Sequence, residues 1–147
     1  MELLQVNFYE QVKDELLKFA VIISKTDGKW VFCKHKARNT YEVPGGHREI
    51  GESILEAAER ELKEETGAVG FNILPICVYS VKRKMSDEES YGEESFGMLF
   101  FANILSFEKE LHSEIEKIII TPELVDNWTY PLIQPKLIEE AKKRGYF

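Results

Sequence analysis

Apolar residues along the chain fall into short runs separated by turn signals. Phe19-Ala20-Val21-Ile22-Ile23-Ser24 is one run and Lys29-Trp30-Val31-Phe32-Cys33-Lys34 the next, with Thr26-Asp27-Gly28 between them. Runs of this length predict buried strands, and the Asp-Gly step predicts a tight hairpin. Residues 3–9 read as an edge strand, and the charged segment 10–18 as a helical turn or a loop. Farther on, 71–81 predicts a strand in which Pro75 calls for a bulge or an edge position. The strongly apolar 96–107 predicts a central strand, and the isoleucines of 114–121 predict another. Thr121-Pro122-Glu123-Leu124 predicts the start of a short helix, and 135–144 an amphipathic one through Leu137, Ile138 and Ala141. Residues 82–95 carry neither period, and a loop that long in a compact domain is usually functional or mobile.

One segment has a different pattern. After the strand-to-loop break Pro44-Gly45-Gly46, Ser53 and Glu56 form the spacing of a capping box. The residues from Ile54 to Glu65 include no Pro or Gly, and Gly67 stands where a left-handed C-cap is expected. A helix of about three turns is predicted, with Leu55, Ala58 and Leu62 on the face that packs under a sheet. Glu61, Glu64 and Glu65 share one arc of roughly 100° on it. Like charges one turn apart repel, so this face does little for stability. It suits a hard divalent cation such as Mg²⁺, which takes oxygen ligands from a few carboxylates and from substrate phosphates. Arg60, four residues before Glu64, is spaced to hold that carboxylate in place.

These residues resemble the Nudix box. Its pattern is Gly, five residues, Glu, seven residues, then Arg-Glu-aliphatic-x-Glu-Glu-x-Gly-aliphatic. Gly46, Glu52, Arg60, Glu61, Leu62, Glu64, Glu65 and Gly67 match it, and Ala68 is a small substitute at the last position. The resemblance implies an α/β fold, an α/β/α sandwich with a mixed, partly barrel-like sheet. It also implies hydrolysis of a nucleoside diphosphate derivative by water attacking phosphorus. Glu61, Glu64 and Glu65 would be metal ligands together with the backbone carbonyl near Gly45 or Gly46. Arg60 would orient Glu64, and Glu52 would sit outside the ligand shell. Relatives differ in their general base. Glu93, Glu94, Glu110 and Glu114 are the candidates here, and Glu114 is preferred because it begins a predicted strand.

At 147 residues and 44% apolar content, the chain suits one domain, residues 1–147, with one core. Its net charge of −7 opposes binding to a nucleic-acid polymer, since neither Lys82-Arg83-Lys84 nor Lys142-Lys143-Arg144 makes a basic patch. No apolar run approaches membrane-spanning length, and acidic residues occupy the N-terminal stretch where a signal peptide is basic. A cytoplasmic protein without membrane contact, monomer or homodimer, is expected. Cys33 and Cys77 read as buried free thiols.

Lys34, Arg38 and Arg48 lie near the box in sequence and are candidate phosphate contacts. Tyr79, Tyr91, Phe96 and Trp128 either stack on a base or pack in the core. Asn127 precedes the last helix, where MutT-like relatives place a purine-reading asparagine. The flanking sequences KWVFCKHKARNTYEVPGGHRE and KKRGYF are similar to bacterial 8-oxo-dGTP diphosphatases. The resemblance therefore implies a Mg²⁺-dependent nucleoside triphosphate pyrophosphohydrolase, with Mn²⁺ able to substitute. Hydrolysis of ADP-ribose or of another nucleoside diphosphate derivative is the competing activity. A non-catalytic nucleotide sensor is the competing class, disfavoured because every box glutamate is present.

Overall fold

A computed structural model describes residues 2–109 and 115–147. The strands are β1 (Glu2–Tyr9), β2 (Leu17–Thr26), β3 (Lys29–His35), β4 (Gly45–His47), β5 (Ala68–Met85), β6 (Ser95–Phe107) and β7 (Ile115–Thr121). They form one sheet in the order β1-β5-β6-β2-β3-β7, with the short β4 added to β2. The β2–β6 pairing is parallel and the others are antiparallel, so the sheet is mixed.

Helix α1 (Ile54–Thr66) covers one face and α2 (Gln134–Lys143) the other. Alternation along the central strands divides the core between them. Ala20, Ile22 and Val31 pack with Ala57, Ala58 and Leu62 of α1, whereas Ile23 and Phe32 pack with Leu137, Ile138 and Ala141 of α2. Chain reversal between β2 and β3 uses Asp27 (φ 52°) and Gly28 (φ 75°), both in the left-handed region that a tight hairpin requires.

The capping box is present in full. Ser53 accepts from the Glu56 N–H and Glu56 from the Ser53 N–H, and Gly67 closes the helix in the left-handed conformation at φ 76°. Both cysteines are free and buried, and burial raises each thiol's pKa. Among the described residues, no helix is long and apolar enough to cross a membrane.

Three expectations are corrected. Thr121 ends β7 and residues 122–123 form bends rather than a helix. Tyr41 N–H donates to the Asn127 carbonyl and Thr129 N–H to the Tyr41 carbonyl, so the following chain runs as a parallel bridge beside residue 41. Leu55 is 43% exposed, and the packing face of α1 is Ala57, Ala58 and Leu62. Strand β5 runs to Met85, with a register shift at Pro75, which shortens the polar loop to residues 86–94.

Candidate functional site

The site is built where β4 passes the C-terminal half of α1. Gly45 lies opposite Val21, and Gly46 opposite Ala20. A Cβ on Gly45 would stand 2.5 Å from the Ala20 carbonyl oxygen, and one on Gly46 would stand 2.5 Å from the Glu61 carboxyl carbon. Only residues without side chains, Gly45 against β2 and Gly46 against Glu61, can lie this close. The Gly45 N–H donates to Glu65 Oε1 at 2.6 Å.

One guanidinium ties the rest together. Arg60 donates from Nε to Glu52 at 2.7 Å, and its terminal nitrogens donate to Glu61 at 2.8 Å and to the His47 carbonyl at 2.9 Å. Its contact with Glu64, which the spacing singled out, is longer at 3.5 Å. Glu64 is half-exposed, whereas Glu61 and Glu65 keep only 13% and 10% of their side-chain surface.

These placements separate the carboxyls by charge preference. The Arg60 bond, aided by the Glu49 N–H, holds Glu52 down to about 2. Burial raises Glu61 against the pull of Arg60. Burial also pushes Glu65 up to about 8, outweighing the Gly45 N–H, with the negative charges of Glu61, Glu42 and Glu64 adding to the rise. Glu42, buried at 7% exposure, enters the site from the chain between β3 and β4. It faces Arg38 at 3.4 Å and His35 at 3.7 Å. Sequence reading assigned neither His35 nor Glu42 a role.

A cavity of about 500 Å³ opens beside the two glycines. Its walls include Phe19, Val21, Tyr79, Val81, Ile133 and Leu137, and it shares Glu42, Gly45 and Gly46 with the carboxylate cluster. Gln134 lines it too. The side-chain oxygen of Gln134 accepts from the Val43 N–H at 2.9 Å, which fixes the amide's orientation and leaves its NH₂ as the free donor. Nothing in the sequence marked Gln134 except its place at the start of an amphipathic helix.

Other candidates lie elsewhere. Arg48 is engaged with Asp14 at 2.8 Å and with the backbone carbonyls of Asp14 and Glu52. Arg38 stands at the outer rim, bonded to Glu42 and to the Tyr130 hydroxyl. Lys34 lies on β3 opposite Lys117. Asn127 is outside the cavity lining, and its side-chain amide donates to the Asn39 carbonyl. Tyr79 forms part of the cavity wall, Phe96 packs on Tyr9 and Trp128 meets Phe32 edge-on, while Tyr91 is exposed. Glu93 lines the cavity, whereas Glu94 accepts from the hydroxyls of Tyr9 and Ser80. Glu110, His112 and Glu114 lie outside the described residues.

The donor set fits a hard divalent cation. Glu61 and Glu65 supply buried carboxylate oxygens, Gly46 sets no side chain against Glu61, and burial, with the neighbouring negative charges, already disfavours ionised Glu65. Among the described residues, no three acidic, His or Cys side chains are gathered into a finished cation cage. The carboxylates instead engage Arg60, the Gly45 N–H and His35.

Comparison with known proteins completes the picture. The NUDIX domain family model matches residues 15–144. YtkD of Bacillus subtilis, whose name carries a proposed 8-oxo-dGTP diphosphatase activity, is 33% identical over 126 residues, covering 84% of this chain and 73% of that one. A crystal structure of the Bacillus subtilis pyrophosphohydrolase BsRppH, determined on a point mutant, superposes with a TM-score of 0.77. The two are 27% identical, and the match covers 97% of this chain and 92% of that one. A MutT NUDIX hydrolase from Burkholderia pseudomallei shares the fold at TM-score 0.62 and 20% identity, covering 82% of this chain and 94% of that one.

Proposed function

Because this chain belongs to the NUDIX domain family and is a Nudix pyrophosphohydrolase, we propose that its substrate is a nucleoside triphosphate, cleaved with Mg²⁺ to monophosphate and pyrophosphate. The observation that carries this reading is the continuity of two unlike environments. An apolar cavity sized for a nucleobase shares Gly45 and Gly46 with the carboxylate cluster. A nucleotide with its base in the cavity has its phosphates beside Glu61 and Glu65.

Glu61, Glu64 and Glu65, with the Gly46 carbonyl, would hold the cation. When bound, the ion supplies charge neutralisation at the phosphate oxygens and acidification of a water. Arg60 sets the positions of Glu61 and of the His47 end of β4, with Glu52 as its anchor. Tyr79 and the aliphatic wall exclude water from the base, and the Gln134 NH₂ donates to an acceptor on its edge. Arg38, bonded to Glu42 of the cavity wall, and Arg83, which lines the cavity, are cations placed to meet an outer phosphate; Arg48, spent on Asp14, is not. For the attacking water's proton, its place in the cavity favours Glu93 beside the sequence expectation, Glu114. Water attack on the anhydride breaks one P–O bond, and the departing phosphate takes the electron pair. The similarity to YtkD supports an oxidised guanine nucleotide within this class.

The test is a panel of normal and 8-oxo nucleoside triphosphates, ADP-ribose, diadenosine polyphosphates and nucleotide sugars, assayed with Mg²⁺ and Mn²⁺. Fast turnover of a triphosphate with pyrophosphate released is expected. Turnover of ADP-ribose alone keeps the phosphoanhydride chemistry and overturns the substrate class. Tight binding with no turnover anywhere on the panel overturns the activity in favour of a sensor.

A further inference from the structure

Sequence reading left His35 unassigned, and the box pattern does not reach it. It is the last residue of β3, and its position follows from backbone pairing across the loop. Cys33 N–H donates to the Glu42 carbonyl at 2.9 Å and Glu42 N–H to the Cys33 carbonyl at 3.0 Å, which draws residues 41–43 alongside β3. His35, two residues beyond Cys33, therefore stands at the gap between Glu42 and α1. Its Nε2 lies 3.3 Å from Glu65 Oε2 and 3.7 Å from Glu42 Oε1, with the imidazole 22% exposed.

We propose that His35 is the positioning residue of the cation site, fixing the carboxylate of Glu65 and joining it to the wall of the nucleotide cavity. The inference rests on the cation-binding role assigned above to Glu65. Two points define a carboxylate's plane. The Gly45 N–H holds Oε1 at 2.6 Å, and His35 is the group facing Oε2. The imidazole stands between two buried carboxyls, within 3.3 Å of Glu65 and 3.7 Å of Glu42, so it occupies the space into which Oε2 would otherwise turn. The same imidazole continues outward through Glu42 to Arg38 at 3.4 Å and from Arg38 to the Tyr130 hydroxyl at 3.3 Å. Glu42 and Tyr130 both line the cavity. The cavity wall and the residues that hold the cation are thus linked side chain to side chain, with His35 as the joint. Partners of this kind typically change metal affinity by about 10–100-fold when removed.

The test compares wild type, His35→Gln and His35→Asn in the full chain. Gln carries its amide N–H to the position of the imidazole Nε2, whereas Asn stops near Nδ1. Mn²⁺ binding is measured without nucleotide, by electron paramagnetic resonance and calorimetry, alongside thermal melts and metal-titrated kinetics. His35→Asn is expected to weaken Mn²⁺ binding about tenfold or more and to raise the half-saturating metal concentration equally, with kcat at saturating metal little changed. His35→Gln is expected to stay within about threefold of wild type. Equal loss in both variants, or wild-type Mn²⁺ affinity in His35→Asn, overturns the positioning role and leaves the function proposed above intact. A wild type that binds no Mn²⁺ overturns the cation site, and this inference with it.

Discussion

Arg60 grips Glu52 at two points, Nε at 2.7 Å from one carboxylate oxygen and a terminal nitrogen at 3.0 Å from the other. The fork spans eight positions of sequence and leaves the remaining terminal nitrogen for Glu61. Arg60 therefore acts mainly through Glu52 and Glu61, with Glu64 a weaker third partner.

A lysine cannot reproduce that geometry, because a single ammonium has no planar fork. Arg60→Lys is expected to lower kcat/KM by about 10–100-fold, the range for groups that orient metal ligands. The melting temperature should fall only slightly, since the charges are partly solvated. Steady-state kinetics and a thermal melt on the same preparation check both.

Gly46→Ala separates activity from stability. The three atoms nearest the new Cβ all belong to the carboxyl group of Glu61, at 2.5–2.7 Å, and the end of a flexible side chain can swing away at small cost. The melt should stay within about 1 kcal/mol of wild type. Activity should fall tenfold or more, because a displacement of about 1 Å at a reacting centre can cost up to about 100-fold.

The raised pKa of Glu65 makes a prediction for the metal-free protein. Its folded value is about 8 against an ordinary 4.5. Between those two values the folded state keeps a proton that the unfolded chain gives up. The contribution of Glu65 to stability in chelator should be fully present below about pH 4.5 and be lost as pH rises to about 8, by on the order of a few kcal/mol. Glu65→Gln should flatten that slope and melt higher than wild type at pH 8 while losing activity. Melts in chelator from pH 5 to 9 provide the check.

Gln134 serves both the fold and the base pocket. Gln134→Leu leaves the buried Val43 N–H without an acceptor, at a cost of about 1–3 kcal/mol. Gln134→Glu keeps that acceptor and replaces the NH₂ with an oxygen. It should preserve the fold better than Leu and shift preference away from bases that present a carbonyl. Relative kcat/KM for GTP and ATP in the two variants reads the effect.

What the sequence made legible is what local chemistry decides. The hairpin at Asp27-Gly28, the Ser53–Glu56 box and the Gly67 cap each depend on residues within a few positions, and each is present. So are the apolar strands, whose neighbours complete the burial that their composition demands. Thr121-Pro122 failed as a helix start because the chain beyond it pairs, at Trp128, with Tyr41, far away in sequence. Leu55 failed because a wheel gives the apolar arc but not which edge of it the sheet will cover. At the site, the spacing of glutamates on α1 was readable, whereas His35, Glu42 and Gln134 were not. Their roles come from β3 pairing with residue 42 and from α2 crossing the sheet, contacts that no spacing records.

The most direct measurement is metal-titrated nucleoside triphosphate hydrolysis by wild type beside Glu64→Gln and Glu65→Gln, with melts confirming the fold. Loss of orders of magnitude in kcat is predicted for both variants, with pyrophosphate the product of the wild type. Wild-type turnover in either variant would contradict the assignment of the cation to this helix face.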